Sequence, residues 1–166
     1  MTQSVIKELS INLRPAVDGD LGAVEALLVA SSLPTDGVAD SIREFVVAES
    51  GGGVVGVVGM EYRGEYGLLR STAVAPEWRG RGVARQLVAK IIAEAESRGV
   101  HALYLLTTTA ETYFPSFGFR TVARDVVPDE IRETGEFRGA CPASATVMCC
   151  ELRAAGERVN CSGVSC

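Results

Sequence analysis

The chain has 166 residues, 47% of them hydrophobic and 22% charged, which fits one globular domain with a true core. Its formal net charge of −5 has the wrong sign for a nucleic-acid binder, although Arg79, Arg81 and Arg85 make a local basic patch. No apolar run is long enough to span a bilayer and residues 1–12 lack the apolar centre of a signal peptide, so the expectation is a cytoplasmic protein without a membrane partner.

Residues 11–14 read as a first strand, ended by Pro15. Asp18-Gly19-Asp20 opens a helix over 18–30, where Leu21, Val24, Leu27 and Leu28 recur at helical spacing. Leu33-Pro34-Thr35-Asp36-Gly37 breaks it, and a short helix over 38–43 follows. Residues 45–49, 54–62 and 68–75 read as strands joined by the turns Ser50-Gly51-Gly52-Gly53 and Arg63-Gly64-Glu65, which makes an antiparallel meander. A helix over 83–98 carries Leu87, Val88, Ile91 and Ile92 at core spacing and ends at Gly99. The apolar run 102–106 is a buried strand returning parallel to 68–75. A short helix over 111–117, a strand over 119–122, a short helix over 128–134 and a last strand over 145–152 complete the pattern. The expectation is a single α/β domain over residues 1–152 with a mixed sheet, followed by a mobile tail over 153–166 that has no hydrophobic period.

The connection between the strand over 68–75 and the helix over 83–98 is the most informative stretch. It reads Val74-Ala75-Pro76-Glu77-Trp78-Arg79-Gly80-Arg81-Gly82-Val83-Ala84. Glycine lets backbone approach a ligand closely, and the first turn of a helix offers unpaired N–H groups at the positive end of its dipole. Such a loop suits a phosphate-bearing ligand; as glycines alone it is equally a tight connection. There is no G-x-x-x-x-G-K-[ST] and no G-x-G-x-x-G followed by a ribose-binding acid, which excludes a P-loop nucleotidase and argues against a dinucleotide fold.

The pattern Val-x-Pro-x-x-Arg-Gly-x-Gly-x-Ala, formed by Val74, Pro76, Arg79, Gly80, Gly82 and Ala84, resembles the acetyl-CoA signature of the GNAT N-acetyltransferase superfamily. A second block, from Thr107-Thr108-Thr109-Ala110 to Tyr113-Phe114 and Gly118-Phe119, resembles that superfamily's late motif. The resemblance covers residues 11–152. It implies a mixed, mostly antiparallel sheet flanked by helices, with a splayed parallel strand pair at its centre. It also implies that amides from Arg79 through Gly80, Arg81, Gly82 and Val83 to Ala84 cradle the pyrophosphate of acetyl-CoA. By the same resemblance, main-chain groups of Val74 bond the pantetheine, and a backbone N–H near Thr72 polarises the acetyl carbonyl. The amine attacks directly, so no protein nucleophile is required.

Two positions depart from the family pattern: Thr107 stands for the usual Asn, and Phe114 for the usual Tyr that acts as general acid. Tyr113, one residue earlier, is the alternative acid; its other reading is packing. Leu69-Arg70-Ser71, residues 104–110, Glu136-Phe137 and Cys141-Pro142-Ala143-Ser144-Ala145 narrow the resemblance. They are similar to the acetyltransferase domain of N-acetylglutamate synthases and to small acetyltransferases of bacterial arsenic-resistance operons. This implies a small-molecule amine as acceptor, an amino acid or an amino-acid-like antimetabolite or organoarsenical. The other readings are a protein or peptide N-terminal acetyltransferase and a non-catalytic CoA-binding sensor. A second copy of the chain, as a homodimer, is the one macromolecular partner expected.

On the acceptor side, Glu61 is the candidate general base, because a carboxylate late in a strand is partly desolvated; its alternative is an exposed strand end. Arg70 lies in an apolar strand, on the face of Thr72 and Val74 by period two. Its planar fork suits a substrate carboxylate or an internal ion pair with Glu61. Ser71, on the opposite face, and Thr107 and Thr108 are further substrate-side candidates, with ordinary strand preference as the alternative. Arg132, Glu136 and Arg138 belong to a late segment that resembles the substrate-side cover of the related enzymes; the other reading of most of its charges is that they are solvated. All five cysteines fall in the last quarter of the chain, an odd count that is no disulfide framework, and no metal is expected. Cys149 and Cys150 point to opposite faces of a strand.

Overall fold

The computed structural model describes residues 10–152; the tail after residue 152, with Cys161 and Cys166, and the first nine residues lie outside them. The elements in chain order are β1 (Asn12–Pro15), α1 (Leu21–Ala30), α2 (Val38–Ser41), β2 (Val46–Ser50), β3 (Gly53–Arg63) and β4 (Tyr66–Val74). They continue with α3 (Val83–Ser97), β5 (Ala102–Thr107), β6 (Arg120–Thr121), α4 (Asp129–Arg132) and β7 (Thr146–Glu151). The seven strands form one mixed sheet in the order β1-β2-β3-β4-β5-β7-β6, mostly antiparallel with β4 and β5 parallel, as expected. The described chain forms two compact units, residues 10–60 with 71–91, and residues 61–70 with 92–152.

In the first unit, Ala16, Val24, Leu28, Val38, Ile42, Phe45, Val47, Val57 and Ala73 make the core. β2 pairs antiparallel with both β1 and β3, and a bulge between Ala48 and Glu49 shifts its register on β3. The helix expected from residue 18 begins with a 3-10 turn, Asp18–Asp20, because Asp20 is occupied locally. Its carboxylate accepts from Val17 N–H at 2.8 Å and from both terminal nitrogens of Arg14 at 2.8 and 2.9 Å. The Arg14 guanidinium holds the Asp20 carboxyl below the usual carboxylate range. Two glycines in β3 are set by packing. A Cβ at Gly56 would lie 3.0 Å from Leu87 and Val83, so the start of α3 rests on this residue. A Cβ at Gly59 would lie 2.4–2.7 Å from the Phe45 ring, which is itself 1% exposed. Gly59→Ala is therefore expected to cost about 1–3 kcal/mol by overpacking, read as a lower denaturant midpoint at unchanged slope. An unchanged midpoint would show that Phe45 can shift without loss.

In the second unit, residues 61–70 form a hairpin about Gly64, whose φ of +58° suits a residue without Cβ. β4 and β5 pair over three positions, Tyr66↔Ala102, Gly67↔Leu103 and Leu68↔Tyr104; the ladder stops there although both strands continue. β5 pairs antiparallel with β7 along Ala102 to Thr107. Leu68, Ala102, Tyr104, Val127, Ile131, Val147 and Cys149 are packed together. Cys150 turns the other way, its Sγ 3.8 Å from the Phe117 carbonyl, so the vicinal thiols do face apart. α3 ends as expected at Gly99, with Gly99 N–H bonded to Glu96 O and Val100 N–H to Ala95 O, the Schellman arrangement. The helix expected over 111–117 is only a 3-10 turn, Phe114–Phe117, because Pro115 lacks the N–H that would extend it and Gly118, at φ +95°, closes it. The short helix and strand expected over 128–134 and 119–122 shrink to α4 and β6, and an irregular π-type turn, Glu136–Ala140, lies beyond them.

One expectation about β4 is corrected. Ser71 has φ +60°, the left-handed region, in the middle of a strand. A residue in that conformation interrupts the pleat, so period two does not carry from Arg70 across to Thr72 and Val74.

Candidate functional site

The glycine loop belongs wholly to the first unit. After Val74, Pro76–Trp78 make a single 3-10 turn, and the chain then extends through Arg79 to Gly80 and Gly82, at φ +76° and +78°. Neither glycine has an atom within 4 Å of where a Cβ would stand, so left-handed backbone, not crowding, requires glycine there. Arg79, Gly80, Arg81 and Gly82 are exposed, while Val83 is buried and anchors α3. The first helical bond runs from Gln86 N–H to the Gly82 carbonyl at 3.1 Å, which leaves the amides of Val83 and Ala84 without an intrahelical acceptor. Arg79 turns back so that its Nε donates to the Val74 carbonyl at 3.0 Å, and the Arg81 guanidinium sits 5.2 Å from the Trp78 ring centre. The loop therefore combines exposed amides, a helix N-terminus and two arginines, which is the chemistry of an anion cradle. Thr72, in the same unit, holds a buried Oγ1 with no hydrogen-bond partner among the described residues. A buried hydroxyl left this way costs free energy unless something else meets it.

The acceptor-side candidates lie in the second unit. Glu61, at the end of β3, is buried rather than an exposed strand end, at 4% exposure. Its Oε1 accepts from Arg70 Nη1 at 2.5 Å and its Oε2 from Arg63 Nη2 at 3.2 Å. The Arg70 side chain is fully buried, and its Nε also faces Glu136 Oε1 at 3.5 Å. The internal ion pair with Glu61 is thus present. Among the late charges Glu136 is the exception to solvation: it is 4% exposed, whereas Arg132 and Arg138 are exposed. Its pKa is pushed up to about 7 by burial; Arg70 opposes the rise and Glu61 adds a smaller share to it. Nothing in the sequence near Glu136 foretold this, because the turn that carries it has neither helical nor strand period.

Thr107 Oγ1 accepts from the amides of Thr109 and Ala110, at 3.3 and 2.9 Å, and so closes the turn after β5; Thr108 is exposed. The Tyr113 ring packs edge-on against Phe114 and Phe117, with centres 5.3 and 5.4 Å apart, and Phe114 is buried. Burial pushes the Cys141 thiol up to about 11. Among the described residues no cluster of three or more His, Cys, Asp or Glu could hold a metal ion, and no helix is long and apolar enough to cross a membrane.

Comparison with known proteins places these features. Residues 41–121 match the acetyltransferase (GNAT) domain family. The chain is 27% identical over 139 residues to an amino-acid acetyltransferase of Neisseria meningitidis, covering 78% of the chain and 32% of that protein. It is 29% identical over 110 residues to an N-acetyltransferase of Chlorobaculum tepidum, covering 66% and 69% respectively. The N-acetylglutamate synthase of Neisseria gonorrhoeae, solved with coenzyme A and L-arginine, superposes with a TM-score of 0.71 at 25% identity, over 86% of this chain and 33% of that one. The chain thus spans about a third of the length of the amino-acid acetyltransferases it matches.

Proposed function

Given that the chain carries a GNAT acetyltransferase domain, we propose that it transfers an acetyl group from acetyl-CoA to the primary amine of an amino acid or an amino-acid analogue. The observation that carries this reading is the loop from Arg79 to Ala84: four exposed residues, two of them left-handed glycines, running into a helix start. The loop fits a pyrophosphate, and the unpartnered Thr72 Oγ1 on the strand leading into it fits a ligand that brings polar atoms. Arg79, Gly80, Arg81, Gly82, Val83 and Ala84 would hold the phosphates and Val74 the pantetheine. The bound thioester supplies an activated acetyl group.

The chain's own residues have the remaining tasks. The Thr72 backbone N–H would meet the oxygen where negative charge develops. Glu61 takes the proton that the amine loses; each carboxylate oxygen has two lone pairs, so Arg70 and Arg63 leave it acceptor capacity. Arg70 orients Glu61 and offers a planar donor edge to a substrate carboxylate, with Ser71, Thr107 and Thr108 as minor contributors. Tyr113, whose ring packs among aromatics, is the candidate acid for the departing thiolate; Phe114 has no proton to give, and solvent is the alternative donor. Amino-acid-like antimetabolites and organoarsenicals fall within this acceptor class. The odd, terminally crowded cysteines favour a reducing compartment, the cytoplasm.

The test is a screen of amines with acetyl-CoA and detection of free thiol. Turnover of amino acids in preference to peptides is expected; CoA binding without thiol release across the panel would overturn the catalytic reading. Gly82→Leu should cut CoA affinity at least tenfold while leaving the circular-dichroism spectrum native, since the space beside Gly82 is open and only its φ objects. Unchanged CoA affinity in that variant would refute the cradle.

A further inference from the structure

We propose that Glu136 determines acceptor specificity: its carboxylate occupies the Nε edge of Arg70 as a stand-in for a substrate carboxylate and gives up that edge, as the neutral acid, when a carboxylate-bearing amine binds. The proposal rests on the acetyltransferase reading above and on Arg70 as the carboxylate partner.

Arg70 serves its two carboxylates unequally. Glu61 is held at 2.5 Å, while Glu136 stands 3.5 Å from Nε, too far for a well-formed charge-assisted bond. A ligand carboxylate that closes this gap gains what Glu136 does not have. The contact to Arg70 that Glu136 would give up is the longer of the two, so moving it breaks little. The turn that carries it is also adaptable: Gly135 precedes Glu136 and Gly139 lies three residues on at φ +139°, where only glycine is at ease.

Charge decides when the exchange is favourable. The groups facing Glu136 are Arg70 on β4, Glu61 on β3 and the Cys141 thiol after the turn. Arg63 lies behind Glu61, and Arg124 lies toward Cys141 and over the Phe137 ring, 5.7 Å away. With Glu136 ionised, Glu61 and Glu136 already share the one buried guanidinium, and a third carboxylate adds repulsion. With Glu136 neutral, Arg70 and Arg63 balance Glu61 and the incoming anion. Near pH 7 the proton is available at little cost. Binding above that pH therefore takes up one proton from solvent, which returns when product leaves.

The experiment uses L-glutamate, L-aspartate and L-methionine, each beside its α-amide, with the wild-type chain and Glu136→Gln between pH 6 and 9. In the wild type, kcat/KM for the acid relative to its amide should fall above pH 7, approaching about tenfold per pH unit. In Glu136→Gln this ratio should be flat, with a lower KM for the acid at pH 8 and kcat little changed. Comparing the two proteins on the same substrates cancels the ionisation of the amine itself. As a check that needs no variant, calorimetry of wild-type L-glutamate binding in two buffers at pH 8 should show uptake of about one proton. Identical pH dependence in both proteins, or no proton uptake, would overturn the role of Glu136 while leaving carboxylate recognition by Arg70 standing. Equal use of acids and amides by both proteins at every pH would refute carboxylate recognition and this proposal together. Absence of any turnover would refute the acetyltransferase reading on which both depend.

Discussion

Arg70→Met is expected to destabilise the chain by about 3–5 kcal/mol at pH 8, the largest effect of any single substitution considered. The arginine side chain has no exposed surface, and its partners Glu61 and Glu136 are 4% and 6% exposed. Methionine fills much of the same volume, so the loss is one of charge and not of packing. It leaves Glu61 with the half-exposed Arg63 and takes from Glu136 the guanidinium 3.5 Å away. An uncompensated carboxylate in a low-dielectric setting either stays charged at high cost or takes up a proton. Two further measurements make the origin explicit. Adding Glu61→Gln and Glu136→Gln to the same chain should recover most of the loss, because removing a whole buried ion cluster is far less costly than removing one member. The single variant should also lose less stability at pH 5 than at pH 8. A urea midpoint within experimental error of the wild type at pH 8 would show that water reaches the two carboxylates in ways their burial denies.

Glu136→Gln is expected to act in the opposite direction and to stabilise the chain at alkaline pH. The folded-state pKa of Glu136 is raised from about 4.5 to about 7. Between those values the unfolded chain has released the proton and the folded chain still holds it. Stability therefore falls as pH rises through this window and levels off above pH 7. A shift of this size corresponds to about 3 kcal/mol as an upper bound. Glutamine keeps the volume and is neutral throughout, so the variant should gain up to that amount at pH 8, gain little near pH 4, and show a flatter curve between. The raised pKa is what remains after the attraction to Arg70, which lowers it. Parallel stability curves for the two proteins from pH 5 to 8 would mean that Glu136 is not desolvated.

How much of this was legible beforehand follows from what period and composition can encode. The strands over 45–49, 54–62 and 68–75 were visible as apolar runs between glycine turns, and the helix over 83–98 as a core stripe with Gly99 behind it. The left-handed backbone of the loop from Val74 to Ala84 was legible because glycines mark such geometry in sequence. Ser71 was not legible: serine is ordinary in strands, and a left-handed φ at a non-glycine residue leaves no trace in the letters. That one dihedral misdirected the assignment of Arg70, Thr72 and Val74 to a common face. Glu136 escaped for a different reason. Its burial depends on Arg70 and Glu61, far away in the chain, and its own neighbours Glu133, Arg138 and Gly139 look like solvent-facing residues. Gly59 carried a signal that only a partner could decode, since nothing local says that the Phe45 ring lies against it.

The ten-residue hairpin Glu61–Arg70 has a consequence for recombining this chain with its relatives. It carries Glu61, Arg63 and Arg70 in one short stretch, and the positions that bound it, 60/61 and 70/71, are also where the chain passes from one compact unit to the other. A crossover placed at those two junctions moves three interacting charges as a cassette. A crossover inside the hairpin separates a buried acid from the base that neutralises it and should yield insoluble chimeras even between parents of similar composition. Glu136 does not travel with the cassette, so a viable graft needs a matching residue at that position, and libraries that exchange the hairpin alone should be enriched, among survivors, for parents that already agree there.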